Sequence, residues 1–130
     1  MNIAVRYYSR SGNTKAVAEA IAKEVGVDAV SVEKAEAQLN EPVDVLFIGG
    51  ALYAYGLDSH LKEYLKTLKK DNVKKAVVFS TSWLSKHSVE LIKKGLSDNG
   101  IAVENDYFYV KNKPSEVQKK EATVFAKKFV

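Results

Sequence analysis

Cysteine is absent from the 130 residues, which excludes a disulfide framework, a thiolate-ligated zinc and a redox-active thiol. Histidine is scarce: His60 and His87 are too few to suggest a transition-metal site. No apolar run approaches the roughly 20 residues of a membrane span. Nothing at the start reads as the basic, apolar and small segments of a signal peptide. Proline occurs only twice, and there is no repeat, linker or low-complexity tract. Two phosphate-binding signatures, G-x-x-x-x-G-K-[ST] and G-x-G-x-x-G, are also missing. What remains is the expectation of a cytoplasmic globular protein with no membrane association, one domain over residues 1–130.

The composition supports that reading, since 46% hydrophobic and 28% charged residues suffice for a layered core and a solvated surface. The formal net charge is +4, with lysines clustered at 66/69/70, 74/75, 86/93/94, 119/120 and 127/128. A basic surface attracts nucleic acid or an acidic partner protein. Acidic residues are interspersed and no nucleic-acid motif accompanies the charge, so solvated helix faces are expected and nucleic acid is not.

Apolar runs and helical periods alternate along the chain. Residues 2–8 predict a strand, and Ala16, Val17, Ala20, Ile21 and Val25 mark one face of a helix over 13–25 that Gly26 closes. Val27–Val32 predicts a short edge strand and 34–40 a weak element, at most one helical turn. Beyond Pro42 the run Val43–Ile48 predicts a strand buried on both faces and ended by Gly49 and Gly50. A helix is expected over 57–68, started by Asp58 and Ser59, then a strand at 76–79 and a loop at 80–85. Val89, Leu91, Ile92 and Leu96 carry the next helix, which Asp98-Asn99-Gly100 stops. A fifth strand over 101–110 and a helix opened by Ser115-Glu116-Val117-Gln118 and ending at Phe129 complete the pattern. Five such alternations predict an α/β fold with a doubly wound parallel sheet and helices on both faces. In such sheets ligands bind beyond the carboxyl ends of the strands, where the strand order reverses.

The turn between the first strand and the first helix, Ser9-Arg10-Ser11-Gly12-Asn13-Thr14, carries three hydroxyls, a carboxamide and a glycine. Backbone N–H groups at such a turn face the positive end of the helix dipole, which favours a dianionic phosphate. Gly12 lets the backbone approach an anion and take positive φ. The alternative is an ordinary N-cap with no ligand.

The words S-x-S-G-N-T resemble the phosphate-binding loop of flavodoxins, [ST]-x-[ST]-G-N-T, in the right place after the first strand. Nearly the whole chain is similar to the short-chain flavodoxins. The resemblance implies a five-stranded sheet of order 2-1-3-4-5 and non-covalent FMN. Ser9, Arg10, Ser11, Gly12, Asn13 and Thr14 would hold the phosphate. The loop Gly49–Gly56 matches the second flavin loop in position, so Ala51, Leu52, Tyr53, Ala54, Tyr55 and Gly56, with Ser80, Thr81, Ser82 and Trp83 after the fourth strand, would hold the ring. Tyr53 and Tyr55 are candidates to stack on it, and Trp83 is a candidate contact or a lid on the neighbouring helix. His60 and His87 read as helix-face residues.

The function implied is electron carriage between redox partner proteins, with acidic surfaces as one partner class, by a monomer or weak dimer. No side chain needs to act as acid or base. Two alternatives stand beside it: an oxidoreductase of the quinone or protoporphyrinogen-dehydrogenase type, faintly matched by Leu52–Gly56, and a flavin-free binding module. The sequence departs from electron-shuttle flavodoxins in being basic where they are acidic, and in its short third loop.

Overall fold

Two apolar stretches, Val43–Gly50 and Val73–Thr81, lie side by side in the middle of a sheet and organise everything else. The computed structural model describes residues 1–53, 56–83 and 85–130. In chain order the elements are β1 (Ile3–Tyr7), α1 (Asn13–Val25), β2 (Ala29–Ser31), a 3₁₀ turn (Ala35–Ala37), β3 (Val43–Gly50), β4 (Leu52–Tyr53), β5 (Gly56–Leu57), α2 (Ser59–Thr67), β6 (Val73–Thr81), α3 (His87–Asp98), β7 (Val103–Val110) and α4 (Glu116–Lys127). The main sheet runs β2-β1-β3-β6-β7 with every pair parallel. Numbering its five strands along the chain gives 2-1-3-4-5, the flavodoxin-like order expected from the resemblance.

Alternation along the central strands splits the core in two. Val45, Phe47, Val77 and Phe79 face α1 and α4, where they meet Val17, Ile21, Phe125 and Ala126. Leu46, Ile48, Ala76 and Val78 face α2 and α3, where they meet Leu61, Leu65, Ile92 and Leu96. Phe47 and Phe79 are both fully buried, each stabilising the fold by about 1.5–3 kcal/mol relative to exposure. Helices on both faces explain why these strands read as continuous apolar runs.

Local signals place the helix ends. Gly26 takes φ 79° and donates its N–H to Ala22 O, closing α1 as predicted. Asp58 starts α2 by accepting the His60 N–H, and Ser115 and Gln118 form a reciprocal capping box at the start of α4. Asn99, just past α3, donates from its amide to Leu65 O and Leu68 O at 2.7 and 2.9 Å, satisfying carbonyls at the end of α2.

Several boundaries differ from the sequence reading. Gly49 and Gly50 do not end the third strand but belong to it, paired with Phe79 and Ser80. The fourth strand runs 73–81 rather than 76–79, so Ser80 and Thr81 are strand residues and not loop. Ser80 pairs with Gly50 of β3 and Tyr109 of β7, and Thr81 with Val110 of β7, which hydroxyl-rich composition does not announce. A two-stranded antiparallel ribbon, β4 with β5, stands where only a loop was expected. Strand β1 ends at Tyr7, the second strand is cut to Ala29–Ser31, and α4 ends at Lys127. No helix among the described residues is long and apolar enough to cross a membrane.

Candidate functional site

Strand β1 delivers the chain to the sheet's carboxyl end, and residues 8–12 turn it into α1. Gly12 is the N-cap with φ 92°, a left-handed conformation that disfavours any residue with a Cβ. A Cβ there would meet nothing within 4 Å, so the space beside the loop is open. Ser9 Oγ accepts the Gly12 N–H at 3.0 Å, and Ser11 Oγ takes the Asn13 N–H at 3.4 Å. No side chain caps the helix in the usual way, and its first turn holds no acidic residue. The N–H groups of Thr14 and Lys15 have no acceptor within their own helix. The positive end of α1 is therefore uncompensated and faces open space, a donor set suited to a dianionic group.

The other residues of the loop are held by neighbours. Thr14 is buried, and its hydroxyl lies 2.6 Å from that of Thr81 at the end of β6. Asn13 Nδ2 donates to Asn112 Oδ1 at 3.4 Å, and Asn112 itself takes φ 67° in the loop after β7. Arg10 turns its guanidinium away from the helix start, to Asp58 Oδ2 at 2.6 Å. It also covers the Tyr53 ring at 3.9 Å, while its backbone N–H donates to the Tyr53 hydroxyl at 3.0 Å. The bond to Asp58 holds the Arg10 guanidinium above its ordinary range. Burial pushes the Asp58 carboxyl up, but the bonds from Arg10 and His60 outweigh it and hold the group below 3.8. Burial also raises the Tyr53 hydroxyl, and Arg10 partly offsets this.

Tyr53 belongs to β4, with Leu52 and Gly56 beside it in the ribbon and Ala51 just before it, all half-buried. Tyr8 packs edge-on to Tyr53 and stacks on His60 with ring centres 5.1 Å apart. Ala54 and Tyr55 lie outside the described residues. On the far side of the loop, Ser80 is fully buried and its hydroxyl is bonded to Gly50 O and to Ser88 Oγ, each at 2.6 Å. Ser82 is only 4% exposed, and its Oγ has no partner among the described residues. Trp83 is 64% exposed. The structure thus gathers residues 9–14, Tyr53, Thr81, Ser82 and Asn112 at one end of the sheet. The Arg10 guanidinium and the Ser80 hydroxyl serve protein partners. A depression of about 540 Å³ lined by Met1, Arg6, Glu36, Leu39 and Pro42 lies at the opposite end of the sheet.

Residues 4–126 match the family model for the flavodoxin domain. The chain belongs to that family. No curated protein matches the sequence. Among solved structures, a flavodoxin from the domain Archaea is similar over 99% of this chain and 96% of its own, with a TM-score of 0.88 at 23% identity. Oxidised flavodoxin 1 from Bacillus cereus is similar over 99% and 97%, with a TM-score of 0.80 at 19% identity. The rubredoxin:oxygen oxidoreductase of Desulfovibrio gigas is similar over 98% of this chain but 34% of its own, with a TM-score of 0.85 at 16% identity. At these identities the likeness is one of fold.

Within this flavodoxin domain, sequence reasoning missed three contributors to the site. Asp58 was legible as a helix start but not as the partner of Arg10, 48 residues away. His60 gave no signal beyond its helix face. Asn112, between two lysines and ahead of Pro114, fits a left-handed turn position, and that preference was the available clue.

Proposed function

We propose that this flavodoxin-domain protein binds FMN at the carboxyl end of its sheet and carries electrons between redox partner proteins in the cytoplasm. The observation that carries the reading is the open, uncapped start of α1 at Gly12, ringed by Ser9, Ser11, Asn13 and Thr14. Family membership supports a flavin there. The Ser82 Oγ, buried and without a partner among the described residues, supports a polar ligand group on the other side of the site.

Ser9, Ser11, Gly12, Asn13 and Thr14 would hold the phosphate, with the Arg10 side chain setting the loop against Tyr53 and Asp58. Ala51, Leu52, Tyr53 and Gly56, with Thr81, Ser82 and Trp83, would flank the ring; Ala54 and Tyr55 belong to the same proposal through their place in the chain. Ser80 would act through Gly50 O, keeping the ends of β3 and β6 together. Bound FMN supplies one- and two-electron chemistry at its isoalloxazine ring, and the chain's part is to bind, orient and shield it.

The test is a fluorescence-quenching titration with FMN and with riboflavin, which lacks the phosphate. FMN should bind about 100-fold or more tightly, since two charge-assisted hydrogen bonds of about 1.5 kcal/mol each make that difference. Ser9→Ala/Ser11→Ala should weaken FMN and leave riboflavin unchanged. Equal affinity for the two flavins overturns the placement of the phosphate, and no binding of either overturns the function.

A further inference from the structure

One side of the edge strand sets lysines over tyrosine rings, and the electron-carrier reading does not use it. Tyr107 and Tyr109 project from β7 toward α3, half-buried against that core. Lys86 and Lys93 lie over the Tyr107 ring at 5.6 and 5.0 Å, and Lys86 also lies 5.6 Å from Tyr109. The Tyr109 hydroxyl donates to Ser82 O at 2.6 Å, next to Trp83, and Lys111 stands 5.5 Å over the indole. A continuous strip results: Lys93, Tyr107, Lys86, Tyr109, Trp83, Lys111. It ends at the mouth of the candidate flavin site.

The carboxylates of β7 are turned elsewhere. Glu104 pairs with Lys75 and Asp106 with Lys128 at the end of α4, across the sheet. Glu90, on the same helix as Lys93, turns to His87. Among the described residues Lys86, Lys93 and Lys111 make no ion pair, whereas six other lysines do. The strip thus presents three ammonium groups without an ion pair among the described residues, Lys93 also donating to Asn105 O at 2.8 Å, around the exposed Trp83 side chain. A tryptophan anchor inside a ring of like charge is the anatomy of a protein docking site with an oppositely charged rim.

We propose that this strip is the docking surface for an acidic redox protein, with Trp83 as its anchor and Lys86, Lys93 and Lys111 as its rim. The proposal rests on the electron-carrier reading, because the strip brings a partner's surface to the mouth of that site. Single-stranded nucleic acid is the less suited occupant. It needs several open rings for successive bases, and here two of the three rings are half-buried under lysines.

The experiment uses Trp83, the only tryptophan, as a reporter through its single indole N–H signal in a 15N-labelled, FMN-loaded sample. Zinc-substituted rubredoxin, acidic and redox-silent, is the probe at about 10 mM salt, where screening is weak. Saturable shifts at Trp83 that weaken with added salt are expected. Lys86→Glu/Lys93→Glu/Lys111→Glu should lower the affinity about tenfold or more. Lys69→Glu/Lys70→Glu/Lys74→Glu, an equal charge change at the opposite end of β6, should alter it less than about twofold. Equal loss in both variants, no saturable shift, or tighter binding of oligo(dT) than of rubredoxin overturns the proposal. Flavin bands before titration report the FMN reading separately: a sample without them that still shifts with rubredoxin keeps the docking surface and removes the carrier role.

Discussion

Arg10 and Asp58, 48 residues apart, meet at 2.6 Å and tie the loop before α1 to the first turn of α2. Asp58 is 6% exposed and serves two partners at once, Arg10 on Oδ2 and the His60 N–H and ring on Oδ1. Arg10 in turn fixes Tyr53 by its backbone and its guanidinium face. Two of the segments that would hold a flavin are therefore positioned against each other by one carboxylate.

That carboxylate gives the first prediction. Its folded-state proton affinity is depressed, so the stability it contributes is present above its ordinary value of 3.8 and lost as pH falls below it. In Arg10→Gln the burial remains and the main compensating charge is gone, so the Asp58 carboxyl should rise; the protein loses stability near neutral pH, and the share of its acid loss that comes from Asp58 should shrink or reverse. Thermal melts from pH 2 to 7 check this, and superimposable acid limbs for the two proteins would refute it.

The hydroxyl pair Thr14 and Thr81 is buried, with 2.6 Å between the oxygens. Thr14→Val or Thr81→Val alone leaves the other hydroxyl without its partner and should cost about 1–3 kcal/mol. The double valine variant should lose less than the sum. Urea unfolding of all four proteins measures the coupling, and strict additivity would mean the pair is not a bond worth counting.

Gly12 has space for a methyl group but the wrong backbone for one. Gly12→Ala should destabilise the fold by about 1–2 kcal/mol through its left-handed φ alone. The same substitution should weaken FMN relative to riboflavin, because the carrying loop relaxes away from this geometry. A variant as stable as the parent would show that φ 92° is not required.

Gly49 fails for the opposite reason. A Cβ there would overlap the Phe79 ring and come 2.6 Å from the Phe79 carbonyl oxygen. Gly49→Ala should therefore cost about 3 kcal/mol or more, since a central strand pair must move apart to admit it. Calorimetry reads this directly, and a change within experimental error would contradict the packing between β3 and β6.

Much of the architecture was legible because it rests on local periodicity. Val43–Ile48 and Ala76–Phe79 announce strands covered on both faces, and the alternation of such runs with amphipathic helices leaves few topologies. Gly26, Asp58 and Ser115 mark helix ends through their own backbone and side-chain chemistry. The turn at 9–14 was legible as a strand-to-helix connection because strand, glycine and helix start follow each other within a few residues. Other features depend on residues far apart in the chain. Ser80 and Thr81 read as loop, yet pairing with β3 and β7 makes them strand. The Gly49–Gly56 stretch gave no sign of a ribbon, because two-residue strands have no period to detect. That the Arg10 guanidinium would meet Asp58 was not legible from the loop alone, and the lysine–aromatic strip exists only because β7 is the sheet edge beside α3. Short-range chemistry set the elements and their order; the choice of partner for each polar side chain was made by packing, which brings together groups that sequence spacing keeps apart.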